Sequence, residues 1–487
     1  MLSVVKLIQG LVKLFVLLLL VIATIILVRA LDSLRLPELS SWHRPLSYTE
    51  FSADARQSFN DFEEYQHLEN RIFQELDHAV YRSHSDQEVL PLNRYTKGSR
   101  ADPNNLDQNW NRSYELIPDN IRGGVLMIHG LTDSPYSMRH LAKIYYENDY
   151  YVLVLRMPGH GTVPGELLNA AWEDWMAVTS MGVRQVRSRL DDKQPLQLVG
   201  YSNGGALAVK YTLDAIEDHS LIMPDRLVLL SPMIGVTFFS RFSDWHNTLS
   251  WIPFFEKFKW LDVLPEFDPY KYNSFPKAAG KQTFLLTRAI NTQLARIESS
   301  GLINELPPIL TFQSLVDATV HTSAIVDRLY SRMVTDNSEL VLFDVNQLST
   351  VDEFLKSGHD TLYEAITESI ETPYALTVLT NESAQSPRVI AKVRRPSSKT
   401  FDSEVLDLVW PTKTYSLSHV AIPFPEEDEV YGPWQPDSSG DMINLGSLSP
   451  RGERGILTVP IHMLMRLRYN PFYEYMRSRI QEVINKQ

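Results

Sequence analysis

The sequence predicts an α/β protein built on a mostly parallel sheet. From Gly124 onward, short apolar runs alternate with stretches of helical periodicity such as 137–148 and 171–190, which is typical of strands joined by crossover helices. The apolar runs show no polar alternation, as expected for strands buried on both faces. The candidate strands are residues 125–128, 151–155, 196–199, 227–230, 309–312 and 340–343.

Composition excludes several classes of function. The 487 residues are 44% hydrophobic and 22% charged, the composition of an ordinary globular chain. A net charge of −13 repels phosphate backbones, so we expect no nucleic-acid partner. With no cysteine, a disulfide framework, a thiolate metal site and a cysteine nucleophile are all excluded.

The N-terminus carries a long apolar run. Residues 14–28 are uncharged, and residues 7–12 extend the run past Lys13, which gives the roughly 20 residues that cross a bilayer. We therefore predict a single-pass transmembrane anchor over residues 1–31, with a cleaved signal peptide as the alternative. Basic residues flank both ends, so charge does not decide the orientation. In a Gram-negative host, we expect an inner-membrane protein with a periplasmic catalytic domain.

A helical extension is expected over residues 32–108. Within 48–80, apolar residues recur at helical spacing and predict a helix packed on the main domain. Residues 96–107 are polar and predict a loop. The predicted buried face consists of Phe59, Phe62, Leu68, Ile72, Phe73 and Leu76.

The strongest chemical motif is GYSNGG at residues 200–205. It lies between a predicted strand and a run of small helix-forming residues, which is the setting of a nucleophile elbow. Ser202 is therefore the candidate nucleophile, and an ordinary helix-capping serine is the alternative. The Asn203 amide follows the nucleophile and the Leu131 amide lies in a glycine-containing loop after an earlier strand, so both are candidate oxyanion donors. His129, inside that loop, is expected to be structural rather than a base.

Four segments together resemble the α/β-hydrolase superfamily, in its monoglyceride-lipase, carboxylesterase and serine-aminopeptidase-like branch. They are HGLTDSPYSMRHLA (129–142), RMPGHGT (156–162), GYSNGG (200–205) and LTFQSLVDATV (310–320). They occur in the family's order within about residues 123–345. The resemblance implies an α/β-hydrolase fold, a serine hydrolase activity and a catalytic acid at Asp317, which would orient a histidine base.

Two histidines compete for the role of base. His359 lies 42 residues after Asp317 in the sequence, in KSGH (356–359), which is near the family's usual spacing. His419 lies in SLSHVAIPFP (416–425), a segment similar to one in a membrane-anchored subgroup of bacterial α/β hydrolases. In that subgroup an insertion delays the histidine, and the strand-like runs 374–379 and 389–393 would belong to it here. This resemblance favours His419 and leaves His359 open.

An aromatic-rich lid is predicted over residues 236–300, between two core strands. Its aromatic side chains would line an apolar substrate pocket, or alternatively form the lid's own core. The set consists of Phe238, Phe239, Phe242, Trp245, Trp251, Ile252, Phe254, Phe255, Phe258 and Trp260. The remaining units are the core at 109–235 and 301–350, an insertion at 351–411, and a return to the core at 412–487 that ends in a helix over 463–484.

The sequence therefore predicts a membrane-anchored serine hydrolase that cleaves carboxylic esters of small, lipid-like substrates. We expect neither a metal nor a cofactor, because no HExxH pair, EF-hand loop or P-loop is present. Two alternatives stay open: a serine-aminopeptidase-like amide hydrolase, and a non-catalytic binding scaffold. No protein partner can be named from the sequence.

Overall fold

The computed structural model describes residues 2–46, 50–53, 61–82, 90–235, 253–334, 336–348, 359–368, 371–433, 442–448, 451, 453 and 456–486. The strands are β1 (Tyr114–Leu116), β2 (Gly123–Ile128), β3 (Tyr150–Leu155), β4 (Leu196–Tyr201), β5 (Arg226–Leu230), β6 (Trp260–Asp262), β7 (Phe275–Pro276), β8 (Ile309–Ser314), β9 (Glu339–Phe343), β10 (Ala375–Ser383), β11 (Ser386–Arg394) and β12 (Asp402–Val409). The helices are α1 (Leu2–Arg35), α2 (Phe62–Leu76), α3 (Arg139–Tyr146), α4 (Trp172–Ser188), α5 (Asn203–Glu217), α6 (Lys277–Ser299), α7 (Thr322–Arg328), α8 (His359–Thr367), α9 (Ile461–Leu464) and α10 (Tyr473–Asn485).

The described part of the chain contains one ten-stranded sheet and a small β6–β7 pair. The order of the large sheet is β1-β3-β2-β4-β5-β8-β9-β10-β11-β12. Neighbouring strands are parallel from β3, through β2, β4, β5, β8 and β9, to β10. The pairs at the two edges, β1–β3, β10–β11 and β11–β12, are antiparallel. The six predicted strands are confirmed as β2, β3, β4, β5, β8 and β9.

Helices cover both faces of this sheet, which explains the uninterrupted apolar runs of its strands. On one face, α4, α5 and α6 contribute Trp175, Leu207 and Leu286 to the core. On the other face, α3 and α10 contribute Leu141 and Met476. Both faces therefore exclude water around the strands whose carboxyl ends carry the predicted reacting groups.

The N-terminal extension contains the predicted amphipathic helix as α2. Asp61 caps it by accepting a hydrogen bond from the Glu64 N–H at 3.0 Å. The predicted residues of its face are buried together with Tyr65, except Phe59, which lies outside the described residues. No helix among the described residues has both the length and the apolarity needed to cross a bilayer, so the predicted transmembrane helix finds no support there.

The C-terminal half differs from the expectation in two places. Residues 375–409, from the predicted insertion, form β10–β12 and continue the central sheet, with β10 parallel to β9. The single helix predicted over 463–484 is wrong at its start, because the chain forms the short α9 and begins α10 only at Tyr473. Pro471 lies between the two helices and has no backbone N–H to continue a helix.

Candidate active site

Ser202 occupies a strained turn between β4 and α5. Its φ is 54° and its ψ is −113°, a left-handed backbone that non-glycine residues rarely adopt. Its N–H donates to the Leu230 carbonyl at 2.8 Å. A Cβ on Gly204 would lie 2.1 Å from the Ile128 carbonyl oxygen, so the turn requires glycine there. This geometry projects the serine from the carboxyl end of the sheet, as a nucleophile elbow does.

The structure brings Ser202, His419 and Asp317 into one hydrogen-bonded chain. Ser202 Oγ lies 3.0 Å from His419 Nε2, and His419 Nδ1 lies 2.7 Å from Asp317 Oδ2. All three residues are buried. When Nδ1 donates its proton to the carboxylate, Nε2 accepts the serine hydroxyl proton, which is the arrangement of a general base.

The Asp317 carboxylate is held ionised. Burial opposes its charge, but His419 and the N–H groups of Val320 and Thr319 outweigh burial and lower the pKa of the carboxyl. Those N–H groups donate to Asp317 Oδ1 at 2.9 and 2.7 Å, which leaves Oδ2 for the imidazole. An ionised acid at this position fixes the tautomer of the base and stabilises the imidazolium that forms.

His419 reaches this place because the chain returns to the end of β9. Val345 pairs with Ser416 in an antiparallel bridge, and the Asn346 N–H donates to the Tyr415 carbonyl at 2.8 Å. The intervening chain, which adds β10–β12 to the sheet, therefore returns close to the point where it left β9. His359, the competing base, is the first residue of α8, and its side chain lies outside the described residues.

His129 has a structural environment, as expected. Its Nε2 accepts the Met157 N–H at 3.0 Å, and its Nδ1 donates to the Gly130 carbonyl at 2.8 Å. Burial and the neighbouring His160 lower its pKa well below the usual range. A neutral imidazole with both nitrogens in use fixes the loop after β2 and leaves no nitrogen for proton transfer.

The predicted oxyanion donors lie in suitable local structure. Asn203 is the first residue of α5, so its N–H has no intrahelical acceptor. Leu131 lies in the loop after β2, and within the described residues its N–H donates to no acceptor. The contact of either amide with a reacting oxygen stays a prediction.

Sequence analysis missed a buried carboxylate that secures the segment after His419. Asp428 accepts hydrogen bonds from Tyr136 Oη at 3.0 Å, from His140 Nε2 at 2.9 Å and from the Tyr431 N–H at 2.8 Å. Burial opposes ionisation, but the His140 hydrogen bond and the Arg139 charge lower the pKa of the carboxyl. The clustered negative charges of EED at 426–428 gave the only signal in the sequence.

His140, Asp428 and Glu429 are also close enough together to ligate a metal ion. However, Arg139 contacts both carboxylates, and its charge neutralises part of theirs. The donor set is therefore better described as an ion-pair network than as a metal centre.

Most of the predicted aromatic lid lies outside the described residues. This applies to Phe238, Phe239, Phe242, Trp245, Trp251 and Ile252, and to the side chains of Phe254 and Phe255. Phe258 and Trp260 are described, and both are buried. Trp260 packs edge-to-face on His43, with ring centroids 4.9 Å apart. These two side chains support packing within the protein rather than a pocket wall.

Residues 119–344 match the model of a family described as serine aminopeptidase, S33. They contain the turn at Ser202 and the candidate acid Asp317. This part of the chain belongs to the α/β-hydrolase superfamily. His419 lies beyond the matched segment, which explains why spacing alone left two candidate bases.

Among known proteins, this chain is similar to the thermostable monoacylglycerol lipase of Bacillus sp. (strain H-257). The two chains are 36% identical over 112 residues, which is 23% of this chain and 43% of the relative. The match thus spans less than half of the relative's length.

Similar solved structures include the monoacylglycerol lipase of Paleococcus ferrophilus, with a TM-score of 0.36 and 16% identity, covering 48% of this chain and 88% of that chain. A soluble variant of monoglyceride lipase from Saccharomyces cerevisiae has a TM-score of 0.36 and 13% identity, covering 48% and 82%.

Proposed function

We propose that this protein is a serine hydrolase that cleaves carboxylic esters through Ser202, His419 and Asp317. The observation that carries the proposal is the continuous chain from Asp317 Oδ2 through the His419 imidazole to Ser202 Oγ, with links of 2.7 and 3.0 Å. A non-catalytic scaffold would not require these atoms to be aligned, or the free-energy cost of the strained Ser202 backbone.

In the proposed reaction, Ser202 Oγ attacks the ester carbonyl while His419 Nε2 accepts the hydroxyl proton. The Asn203 and Leu131 amides would donate to the oxyanion of the tetrahedral intermediate. His419 then gives its proton to the departing alcohol, and an acyl-enzyme remains. A water molecule, deprotonated by His419, attacks the acyl carbon and releases the acid. Throughout, Asp317 stabilises the imidazolium.

We propose a small ester with an apolar acyl chain as the substrate class. The similar Bacillus protein is named a monoacylglycerol lipase, and the aromatic composition of residues 236–260 suits an apolar acyl group. A panel of p-nitrophenyl and monoacylglycerol esters of increasing acyl length tests this class. Activity that falls steadily as the chain lengthens would contradict it.

A second candidate is an aminopeptidase-like activity, because the matching family is described by that name. An aminopeptidase needs a free carboxylate to hold the substrate ammonium group. Among the described residues near the site, Asp133 is paired with Lys271 and Asp268 accepts a hydrogen bond from Tyr431 Oη. This pairing favours the ester hydrolase. Release of p-nitroaniline from amino-acyl anilides faster than from matched esters would reverse the assignment.

The first test is labelling of the detergent-solubilised full chain with a fluorescent fluorophosphonate, which reacts with activated serines. We expect Ser202→Ala and His419→Ala to abolish labelling, because they remove the nucleophile and the base. His359→Ala is the matched histidine control and should keep the wild-type labelling rate. Loss of labelling in His359→Ala but not in His419→Ala would assign the role of base to His359. An unlabelled wild type would favour the non-catalytic binding scaffold.

We also propose that the apolar N-terminal segment 1–31 attaches the chain to a membrane as a single-pass anchor. Support comes from its exposed apolar side chains, including Leu14, Phe15 and Leu17, which are 58–63% exposed. Where α1 ends, Lys257 donates to the Leu36 carbonyl at 3.1 Å and to Glu38 at 2.6 Å, which would hold the anchor against the catalytic domain.

Alkaline carbonate extraction tests the anchor. We expect the full chain in the membrane pellet and a variant lacking residues 1–31 in the supernatant. Protease protection in a Gram-negative host then tests the proposed periplasmic side of the inner membrane, and the mass of the mature chain tests cleavage. Recovery of the full chain in the carbonate supernatant would contradict the anchor.

A further inference from the structure

Residues 266–274 form a loop whose own buried side chains fix its backbone. The Glu266 carboxylate accepts the N–H groups of Asn273 and Ser274 at 3.0 and 2.8 Å. Asp268 Oδ1 accepts the Lys271 N–H at 3.1 Å and the Tyr431 hydroxyl at 2.6 Å. The loop therefore presents Lys271 from a rigid support, which is itself tied to the segment after His419.

This loop makes contacts at two adjacent residues with the loop after β2. We call the loop after β2 the oxyanion loop, because it contains the predicted oxyanion donor Leu131. Lys271 Nζ lies 3.2 and 3.3 Å from the two carboxylate oxygens of Asp133. The Tyr272 N–H donates to the Thr132 carbonyl at 2.8 Å. Thr132 has a φ of 66°, which is costly for a β-branched residue and persists only where neighbouring contacts hold it. Both contacts lie within two residues of the Leu131 amide.

The Asp133 carboxylate is buried near the residue that precedes Ser202. A Cβ placed on Gly130 would lie 2.7 Å from Asp133 Oδ2 and 3.1 Å from the Tyr201 ring. Tyr201 precedes the nucleophile, and its hydroxyl donates to the His419 carbonyl at 3.3 Å. An unpaired negative charge at this place would oppose the negative charge of a tetrahedral oxyanion and would stabilise a protonated base.

We propose that Lys271 is a positioning residue of the reaction: it holds the oxyanion loop through Asp133 and neutralises the Asp133 carboxylate while the oxyanion forms. This inference rests on the proposed serine hydrolase function. Lys271 touches no reacting atom and acts through Asp133. Burial raises the pKa of Asp133 and the Lys271 charge opposes that rise, so loss of the lysine raises the pKa of the carboxyl further and leaves an unpaired charge wherever the pH still ionises it. The other titratable groups that interact with Asp133 are Asp268, Tyr201, Tyr431 and His419.

The test is steady-state hydrolysis of a short p-nitrophenyl ester by the full chain in detergent, from about pH 5 to about pH 9. For Lys271→Met we expect kcat to fall about tenfold or more, with KM within about twofold of wild type, because the loss affects the transition state. The loss should be largest at the high-pH end of this range, where the unpaired Asp133 is ionised, and smallest at the low-pH end, where it is protonated.

The double variant Lys271→Met with Asp133→Asn separates charge from mechanical support. We expect it to recover kcat to within about threefold of wild type at every pH tested, because both charges are gone. Lys271→Arg should keep kcat. Lys210→Met is the matched control, since it removes a partly buried lysine paired with Asp214 outside the site.

Two results would overturn the proposal: a wild-type kcat in Lys271→Met, or a double variant as slow as the single variant at the high-pH end. Failure of the proposed function itself is distinguishable, because the wild type would then neither hydrolyse esters nor label at Ser202. That result would remove the reaction on which the inference rests and overturn both.

Discussion

At the residue scale, the site depends on strain and burial that its neighbours enforce. Ser202 keeps its left-handed backbone because strand β4 and helix α5 fix the residues on both sides of it. The motif predicted this turn, because small residues between a strand and a helix permit the strained backbone of a nucleophile elbow. It could not predict the pairing of Asp133 with Lys271, which are far apart in the sequence and carry no common signal.

Asp317, the proposed acid of the triad, gives a prediction at the same scale. We expect Asp317→Asn to lower kcat by about 10³–10⁴-fold, because an amide cannot hold the imidazole in the tautomer that accepts the serine proton. KM and the midpoint of thermal unfolding provide the check on folding. Asp327→Asn on α7 is the control and should keep wild-type kcat. An Asp317→Asn variant within about tenfold of wild type would exclude Asp317 as the triad acid.

At the element scale, the N-terminal extension is fastened to the core by buried polar contacts. Arg156, in the loop after β3, binds Glu50 at 2.7 Å and Glu69 of α2 at 3.0 Å. Asp174 of α4 accepts the Ala53 N–H at 2.7 Å, and Glu166 accepts the Leu46 N–H at 2.5 Å. Helical periodicity predicted α2 and its buried face, but it gave no signal for these contacts with the core.

Glu166 makes this attachment sensitive to pH. Burial, together with the nearby Glu50, raises the pKa of Glu166 to about 8, whereas the pKa of an exposed glutamate in the unfolded chain is about 4.3. Between these values the folded protein keeps the proton and the unfolded chain loses it. The contribution of Glu166 to the free energy of unfolding is therefore full below about pH 4 and falls as the pH rises towards about 8.

We therefore expect Glu166→Gln to flatten the pH dependence of stability. The amide keeps an oxygen for the Leu46 N–H and cannot ionise, so the variant should gain about 1–3 kcal/mol over wild type near pH 8 relative to pH 5. Urea unfolding at the two pH values measures the difference. Glu63→Gln on the exposed face of α2 is the control, and equal slopes for Glu166→Gln and wild type would contradict the expectation.

At the scale of the whole molecule, β10–β12 extend one sheet and return the chain to the active site. Trp410, which follows β12, is fully buried and packs edge-to-face on Phe472, with ring centroids 4.7 Å apart. Phe472 in turn stacks on Phe343 of β9 at 5.7 Å. The segment after β9 thus shares a core with the strands that carry the triad.

Truncation of this shared core should destabilise the whole domain. For Trp410→Ala we expect a loss of about 3–5 kcal/mol in the free energy of unfolding, in a single transition, because a large cavity forms beside β9 and α10. Urea unfolding followed by far-ultraviolet circular dichroism measures it. Val409→Ala, at an exposed neighbouring position, should change stability by less than about 1 kcal/mol. A separate early transition in Trp410→Ala would instead indicate an independent insertion.

The sequence by itself determined the sheet and the elbow at Ser202, because local signals carry them: apolar periodicity and small residues at a tight turn. The candidate acid Asp317 came from the resemblance to the α/β-hydrolase superfamily. Only the tertiary structure decided that His419 stands beside Ser202. It also placed Lys271 on Asp133 and joined β10–β12 to the sheet. These relations depend on contacts between residues far apart in the chain. Such contacts close long loops and produce no periodic pattern in the sequence.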